Sequence, residues 1–307
     1  MNFLYSILLI VIGFVFLVKG ADAFVDNASG IAKKLGISPV IIGLTIVAFG
    51  TSLPELAVSV TAALEGANEI AVGNVVGSNI FNLLIVAGGS ACIFPLICDR
   101  ILLKRDWPLS AIAELLLVLF LFQDLHISRL EAGVLLVLFV CTLLLQLKNA
   151  KQEENVAPEE RSMIRLLLFL LIGIVAIAIG GQITVEGATS LARILGWSET
   201  LIGLTIVAVG TSLPELVTSI VAARKGENDI AMGNVIGSNL FNVLCILGIS
   251  AVLRPITVET TALYDTLFLL VITVVYWLLC RIHTLDRKIG ILMICTYVGY
   301  MAYILMR

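Results

Sequence analysis

Two glutamates, Glu55 and Glu215, lie inside apolar segments long enough to form membrane-spanning helices. Each belongs to a copy of the sequence GTSLPEL, and the second copy repeats the first at a constant offset in the numbering. A carboxylate is costly within a bilayer, so an acid in such a segment is by default a candidate functional residue. Two nearby carboxylates at low dielectric repel, and both stay charged only if a cation neutralises them. The pair therefore predicts a cation site.

These glutamates belong to a longer duplicated block. Residues 43–82 and 203–242 align without a gap, and 28 of the 40 positions are identical. Pro54 has no N–H group, so the carbonyl of Gly50 one turn earlier loses its helix partner, and Pro214 repeats the pattern. Broken helices at membrane depth line cavities or coordinate ions. The alternative is a plain proline kink, since proline and glycine are common in membrane helices.

Further oxygen ligands recur at helical spacing. Thr51 and Glu55 are four residues apart and share a helix face, as do Ser78 and Asn82. The second block repeats these positions as Thr211, Glu215, Ser238 and Asn242. Such hard oxygens suit calcium or sodium and do not suit zinc or copper.

Other features of the blocks have simpler explanations. Gly73 and Gly77 match the small-xxx-small pattern of close helix packing. Helix capping or interhelical hydrogen bonds would account for the remaining asparagines, which are Asn74, Asn79, Asn234 and Asn239. Acids in the connections are expected to be solvated, and these are Glu65, Glu69, Glu227 and Asp229.

Composition identifies an all-α membrane protein. Of the 307 residues only 13% are charged and 60% are hydrophobic, whereas soluble domains are about one quarter charged. Apolar windows predict ten transmembrane helices, near residues 3–20, 39–64, 69–95, 107–123, 129–147, 163–185, 199–223, 229–253, 262–281 and 287–306. The polar segment 148–162 is predicted to be a cytoplasmic linker between two five-helix halves, 1–147 and 163–307.

The basic residues predict an orientation. Alternating the ten spans places 15 of the 19 lysines and arginines on the side opposite the N-terminus. By the positive-inside rule that side is cytoplasmic, so both termini are expected outside a bacterial-type inner membrane. Because five is odd, the second half enters the membrane upside down. Such inverted repeats are typical of secondary transporters, whose sites lie near the midplane where the repeats meet.

Charge balance favours an exchanger. One divalent ion, two monovalent ions or two protons each neutralise the two carboxylates. An enzyme is not expected, because no nucleophile–base pair or histidine cluster accompanies the acids. We expect calcium and sodium ions and the lipid bilayer as partners, with no cofactor and no nucleic acid.

The sequences GTSLPEL and GNVVGSNIFN, duplicated in inverted halves, closely resemble those of the cation/calcium exchanger superfamily, in its prokaryotic sodium/calcium exchanger branch. The resemblance implies sodium-driven calcium transport by alternating access. It also implies that the first and sixth spans slide during switching. By motif position it implies that Glu55 and Glu215 bridge calcium, helped by backbone oxygens at Thr51 and Thr211. The sodium sites implied by the resemblance are formed by Ala48, Thr51, Ser52 and Ser78 with Ala208, Thr211, Ser212 and Ser238.

Asn82 and Asn242 resemble the central polar pair of that family, with one departure. Some members carry an aspartate at one of these positions, whereas this chain has asparagine at both. With two acids, a filling of three sodium ions leaves an excess positive charge. Proton or potassium coupling within the same fold, another divalent cargo, and a cation channel remain the alternatives.

Overall fold

The computed structural model describes residues 3–148, 150, 159–197, 202, 206 and 208–306. These residues form a helical membrane protein, with one short antiparallel pairing of β1, His126–Ile127, with β2, Ile256–Thr257. The principal helices are α1 (Phe3–Leu35), α2 (Pro39–Thr51), α3 (Leu53–Glu65), α4 (Asn68–Ile93), α5 (Leu102–Asp124), α6 (Arg129–Lys148), α7 (Met163–Ile194), α8 (Leu213–Arg224), α9 (Asn228–Leu253), α10 (Thr260–Ile282) and α11 (Arg287–Met306).

Eight of these helices are long and apolar enough to cross a membrane, and the bent pair α2–α3 makes nine among the described residues. The predicted span 199–223 lies partly outside the described part of the chain, which resumes with the short helix Ala208–Gly210 and continues with α8. Most of the predicted linker, residues 149 and 151–158, also lies outside it.

Helices α1 and α7 are much longer than the apolar windows predicted. The windows gave 3–20 and 163–185, whereas the helices contain 33 and 32 residues. Asp22, Asp26 and Asn27 ended the first window, but the backbone remains helical through them. Hydropathy marks the lipid-facing length of a helix, and the added part of α1 is mainly buried by protein.

Glycines bring α1 and α7 together as an antiparallel pair. The hydroxyl of Ser6 donates to that of Ser190 near one end, and Gly30 faces Leu166 near the other. Between them, Gly20 lies so close to α7 that an added Cβ would be 2.9 Å from the backbone nitrogen of Ile177. Small residues at a membrane helix interface allow this close backbone approach.

Helices α4 and α9 form the centre of the molecule. Protein buries 72% of the most apolar window of α4 and 89% of that of α9, against 22% for α1 and 11% for α11. The two central helices carry the predicted site residues of the GNVVGSNIFN and GNVIGSNLFN sequences. Their burial explains how so many polar side chains are kept away from lipid.

A charged cluster joins the C-terminal end of α1 to its neighbours. Lys225 Nζ lies 2.6 Å from Asp26 Oδ1, and Arg161 Nη1 donates to Asn27 Oδ1 at 3.3 Å. Hydrogen bonds from Arg161 lower the pKa of Glu159 to about 2, so that this carboxylate is ionised throughout the physiological pH range.

We predict that Gly20→Ala destabilises the protein, because the new methyl group overlaps the backbone of α7. Overpacking of this kind costs about 1–3 kcal/mol, which a thermal unfolding curve in detergent would detect. Gly133→Ala in α6 is the matched control, since an added Cβ there meets no described atom within 4 Å. Equal midpoints for the two variants would contradict the close α1–α7 contact.

Candidate cation site

The two glutamates occupy equivalent places just after helix breaks. The chain bends by 51° between α2 and α3, and Ser52 at the bend has a non-helical backbone. Pro54 and Pro214 lie in the first turns of α3 and α8, where no N–H partner is needed. Glu55 and Glu215 follow in the same turns, where the positive end of the helix dipole favours a carboxylate. Both side chains are fully buried.

Each glutamate receives a hydroxyl group from the other half of the chain. Ser212 Oγ donates to Glu55 Oε1 at 3.1 Å, and Ser52 Oγ donates to Glu215 Oε1 at 2.9 Å. The serine at each helix break therefore donates a hydrogen bond to the glutamate that follows the other helix break. This reciprocal arrangement brings the two GTSLPEL sequences together at one point.

The other two predicted serines occupy unequal positions. Ser78 Oγ lies 3.5 Å from Glu55 Oε1 and 3.1 Å from Ser212 Oγ. Its counterpart Ser238 instead contacts the carbonyl oxygen of Ala48 at 3.5 Å. The two serines thus have different contacts although both belong to a GSN sequence.

The threonines face asparagines of the opposite half. Thr51 Oγ1 lies 3.0 Å from Asn234 Oδ1, and Thr211 Oγ1 lies 3.5 Å from Asn74 Oδ1. Thr51 ends α2 and Glu55 lies on α3 beyond the 51° bend, so the prediction that the two share one helix face is wrong. Ala208 begins a short helix, and its side chain lies outside the described part.

Four asparagines clasp α4 to α9. Asn79 Nδ2 donates to the carbonyl of Asn239 at 3.0 Å, and Asn239 Nδ2 returns a bond to the carbonyl of Asn79 at 3.3 Å. Asn242 Nδ2 donates to Asn79 Oδ1 at 3.0 Å, and Asn82 Nδ2 donates to Asn239 Oδ1 at 3.3 Å. The predicted central pair, Asn82 and Asn242, is therefore fixed by two residues that the sequence left as caps or interhelical contacts.

Wide helical turns lie at the same level. The segments Asn82–Ala87 and Phe241–Ile246 are π-helical, a local form found frequently at functional sites. One begins at Asn82 and the other contains Asn242, so both central amides lie where the regular helix is interrupted.

Four buried oxygen atoms at this site accept no hydrogen bond from the described residues. Two belong to carboxylates and two to amides, namely Glu55 Oε2, Glu215 Oε2, Asn82 Oδ1 and Asn242 Oδ1. Buried polar atoms are nearly always paired, so these four oxygens are free to bind a cation or an ordered water. No cluster of three His, Cys, Asp or Glu side chains occurs among the residues described. A cation here would therefore be shared by carboxylate, amide and hydroxyl oxygens, as calcium and sodium prefer.

Comparison with known proteins identifies the family. The model of the family "Sodium/calcium exchanger protein" matches residues 5–148 and 165–306, which is nearly the whole chain. The chain belongs to this family. The resemblance inferred from the sequence is thereby confirmed, and so is the membrane-protein fold.

Two microbial relatives match this exchanger-family chain over almost their full length. It is 38% identical to the putative antiporter CaxA of Alkalimonas amylolytica, covering 97% of this chain and 98% of the relative. It is 36% identical to the sodium/calcium exchanger MaX1 of Methanosarcina acetivorans, with coverages of 96% and 97%. A solved structure of the sodium-calcium exchanger NCX_Mj superposes with a TM-score of 0.88 at 31% identity, covering 99% of this chain and 100% of that structure.

We predict that Asn79→Ala lowers stability, because it removes one donor and one acceptor of the asparagine clasp. A buried group left unpaired costs about 1–3 kcal/mol, and thermal unfolding would measure the loss. Gln123→Ala is the control, because this amide is exposed near the end of α5 and bonds the Leu119 carbonyl of its own helix, and it should change stability by less than about 0.5 kcal/mol. A similar effect of both variants would show that the clasp contributes little.

Proposed function

We propose that this chain exchanges sodium for calcium across a membrane by alternating access. The observation that carries the proposal is the set of four unpaired, buried oxygens of Glu55, Glu215, Asn82 and Asn242 at the meeting point of the two halves. Family membership supports cation/calcium exchange as the class of activity. The choice of sodium as the coupling ion rests on the resemblance of GTSLPEL to the sodium-coupled branch.

Coupling follows from the charge of the site. Two buried carboxylates repel, and either one calcium ion or two sodium ions cancel their charge. With a site that is neutral when filled by either cargo, the protein can switch between its outward-open and inward-open states, whereas the empty, doubly charged site opposes that switch. One ion is then released only as the other takes its place.

The proposed architecture is ten transmembrane helices in two inverted halves, 1–147 and 163–307, joined by the cytoplasmic linker 148–162, with both termini outside an inner membrane. The antiparallel contact of α1 with α7, which begin the two halves, supports it. Helix α9 also runs parallel to α2, since Gly233 lies against Val40 and Gly43 and Gly237 lies against Leu44 and Ala48. If the second half is inverted, α1 must be antiparallel to α7 and α2 must be parallel to α9.

Each predicted ligand has a role in the proposal. Glu55 and Glu215 bridge calcium with backbone oxygens at Thr51 and Thr211, and Asn82 and Asn242 form the central polar pair. Sodium ions bind on either side of this centre, where the contact of Ser238 with the Ala48 carbonyl and that of Ser78 with Glu55 supply oxygens. The flanking sets are Ala48, Thr51, Ser52 and Ser78, and Ala208, Thr211, Ser212 and Ser238.

Transport into proteoliposomes tests the proposal. We expect radioactive calcium to accumulate when sodium is loaded inside and diluted outside. Proton or potassium gradients of the same size should have no such effect. Uptake driven by one of those gradients instead would identify a different coupling ion, and calcium flux without any counter-ion would indicate a channel.

We predict that Glu55→Gln and Glu215→Gln each reduce sodium-driven calcium uptake about 100-fold or more. Each removes a charged ligand worth about 3 kcal/mol, and each 1.4 kcal/mol is a factor of ten. Glu69→Gln is the matched control, because Glu69 is exposed at the start of α4 and its carboxylate accepts the backbone N–H of Glu259. Normal uptake by the Glu55 and Glu215 variants would disprove the site assignment.

A further inference from the structure

A third buried glutamate lies outside the duplicated site. Glu114 is near the middle of α5, and its side chain is fully buried. The offset that relates Glu55 to Glu215 relates Glu114 to Val274, so the second half has no matching acid. An acid inside a membrane helix calls for a functional explanation, and the proposed exchange mechanism does not use this one.

One face of α5 packs polar groups against α10 at this level. Trp107, Ser110 and Glu114 are spaced by three and four residues and share that face. Trp107 Nε1 donates to the carbonyl of Thr273 on α10 at 3.2 Å, and Ser110 Oγ donates to Glu114 Oε1 at 3.3 Å. The Thr273 side chain lies against the same carboxyl group.

Two of these atoms lack a hydrogen bond within the described structure. They are Glu114 Oε2 and Thr273 Oγ1, and both are fully buried. A hydrogen bond between them would pair both atoms, either from a protonated Oε2 to the threonine oxygen or from the threonine hydroxyl to Oε2. Only a proton on the carboxyl group also removes the charge, which is costly to bury.

On the described helices α5 and α10, no basic side chain lies near Glu114. Asp106 is eight residues from Glu114 along α5. On α10, Asp265 and Arg281 are each eight residues from Thr273. Eight residues of helix span about 12 Å at 1.5 Å per residue. The guanidinium of Arg105 is bound to Asp106. The remaining titratable groups on the described elements packed against α5 are nearer helix ends or are thiols and phenols, and these are Lys104, Asp124, His126, Arg129, Glu131, Cys141, Lys148, Asp229, Cys245, Tyr264, Tyr276 and Cys280.

We infer that Glu114 is a proton-binding site, a neutral carboxylic acid on α5 that lies against Thr273 of α10. The bound proton makes this acid a positioning residue between the two halves of the chain. Glu114 therefore adds no charge to the cargo site, which is left with Glu55 and Glu215 alone. The inference rests on packing and polarity and stands whether or not sodium is the coupling ion.

Infrared spectroscopy tests the bound proton directly. The Glu55→Gln/Glu215→Gln double variant leaves Glu114 as the fully buried glutamate of the described residues. We expect the C=O stretch of a protonated carboxylic acid in this variant and its loss when Glu114→Gln is added. Thr273→Val should shift the band to higher frequency by removing its hydrogen-bond partner. Absence of the band, or its appearance only when sodium is withdrawn, would overturn the inference, the second result indicating a metal-ion site.

The same substitution at two buried acids gives a second test in transport. Gln mimics a protonated glutamate in shape and in donor capacity, so Glu114→Gln should keep calcium uptake within about twofold of the unmodified protein. Glu55→Gln, measured in parallel, should lose it. Loss of uptake in a folded Glu114→Gln variant would mean that the charge of Glu114 is needed, which contradicts a bound proton. If Glu114→Gln does not fold, the band shift in Thr273→Val still decides the matter.

Discussion

The structure depends on two carboxylates that are buried in the same low-dielectric region and are each stabilised from the opposite half of the chain. Ser212 donates to Glu55 and Ser52 donates to Glu215, so neither half contains a complete environment for its own acid. A buried charge without partners is strongly destabilising. The site can therefore form only when the two halves are packed together, which makes folding and ligand assembly a single event.

The helix breaks and the asparagine clasp both serve this pairing. Each break ends one helix and starts another, so that a carboxylate lies in a first turn and a serine lies just before it. The clasp holds α4 and α9 together through paired amide hydrogen bonds. These bonds fix the distance between the two helices more exactly than apolar packing alone. Because α4 and α9 are covered by the other helices, none of these polar groups meets lipid.

The repeated blocks made much of the site predictable. Glu55, Glu215 and their serines stood out because acids and hydroxyls recurred in apolar segments at a fixed offset. The exchange of partners between halves was not predictable, since spacing along one helix shows which residues share a face and not what that face meets. The same limit hid the roles of Asn79 and Asn239, although the same offset applied to them too.

The misses outside the blocks have a different cause. Hydropathy ended α1 at residue 20 because its later half is polar, yet that half is buried against protein. Glu114 was overlooked because it occurs once, so no repeat drew attention to it, and its burial depends on α10, which belongs to the other half of the sequence. The burial of both segments depends on contacts between residues far apart in the sequence, and a local sequence pattern carries no information about those contacts.

In the asparagine clasp, the residue type that fits at one position depends on the residue type at the position that it hydrogen-bonds. Asn242 gives an amide hydrogen to Asn79 Oδ1, and Asn82 gives one to Asn239 Oδ1. An aspartate at position 82 or 242 has no hydrogen to give and would set its oxygen against another oxygen. The facing amide would then have to turn over, which breaks its own bond to the backbone across the interface. Gaining a third acid in evolution would therefore require paired substitutions. A change at position 242 would need a change at position 79, and a change at position 82 would need one at position 239.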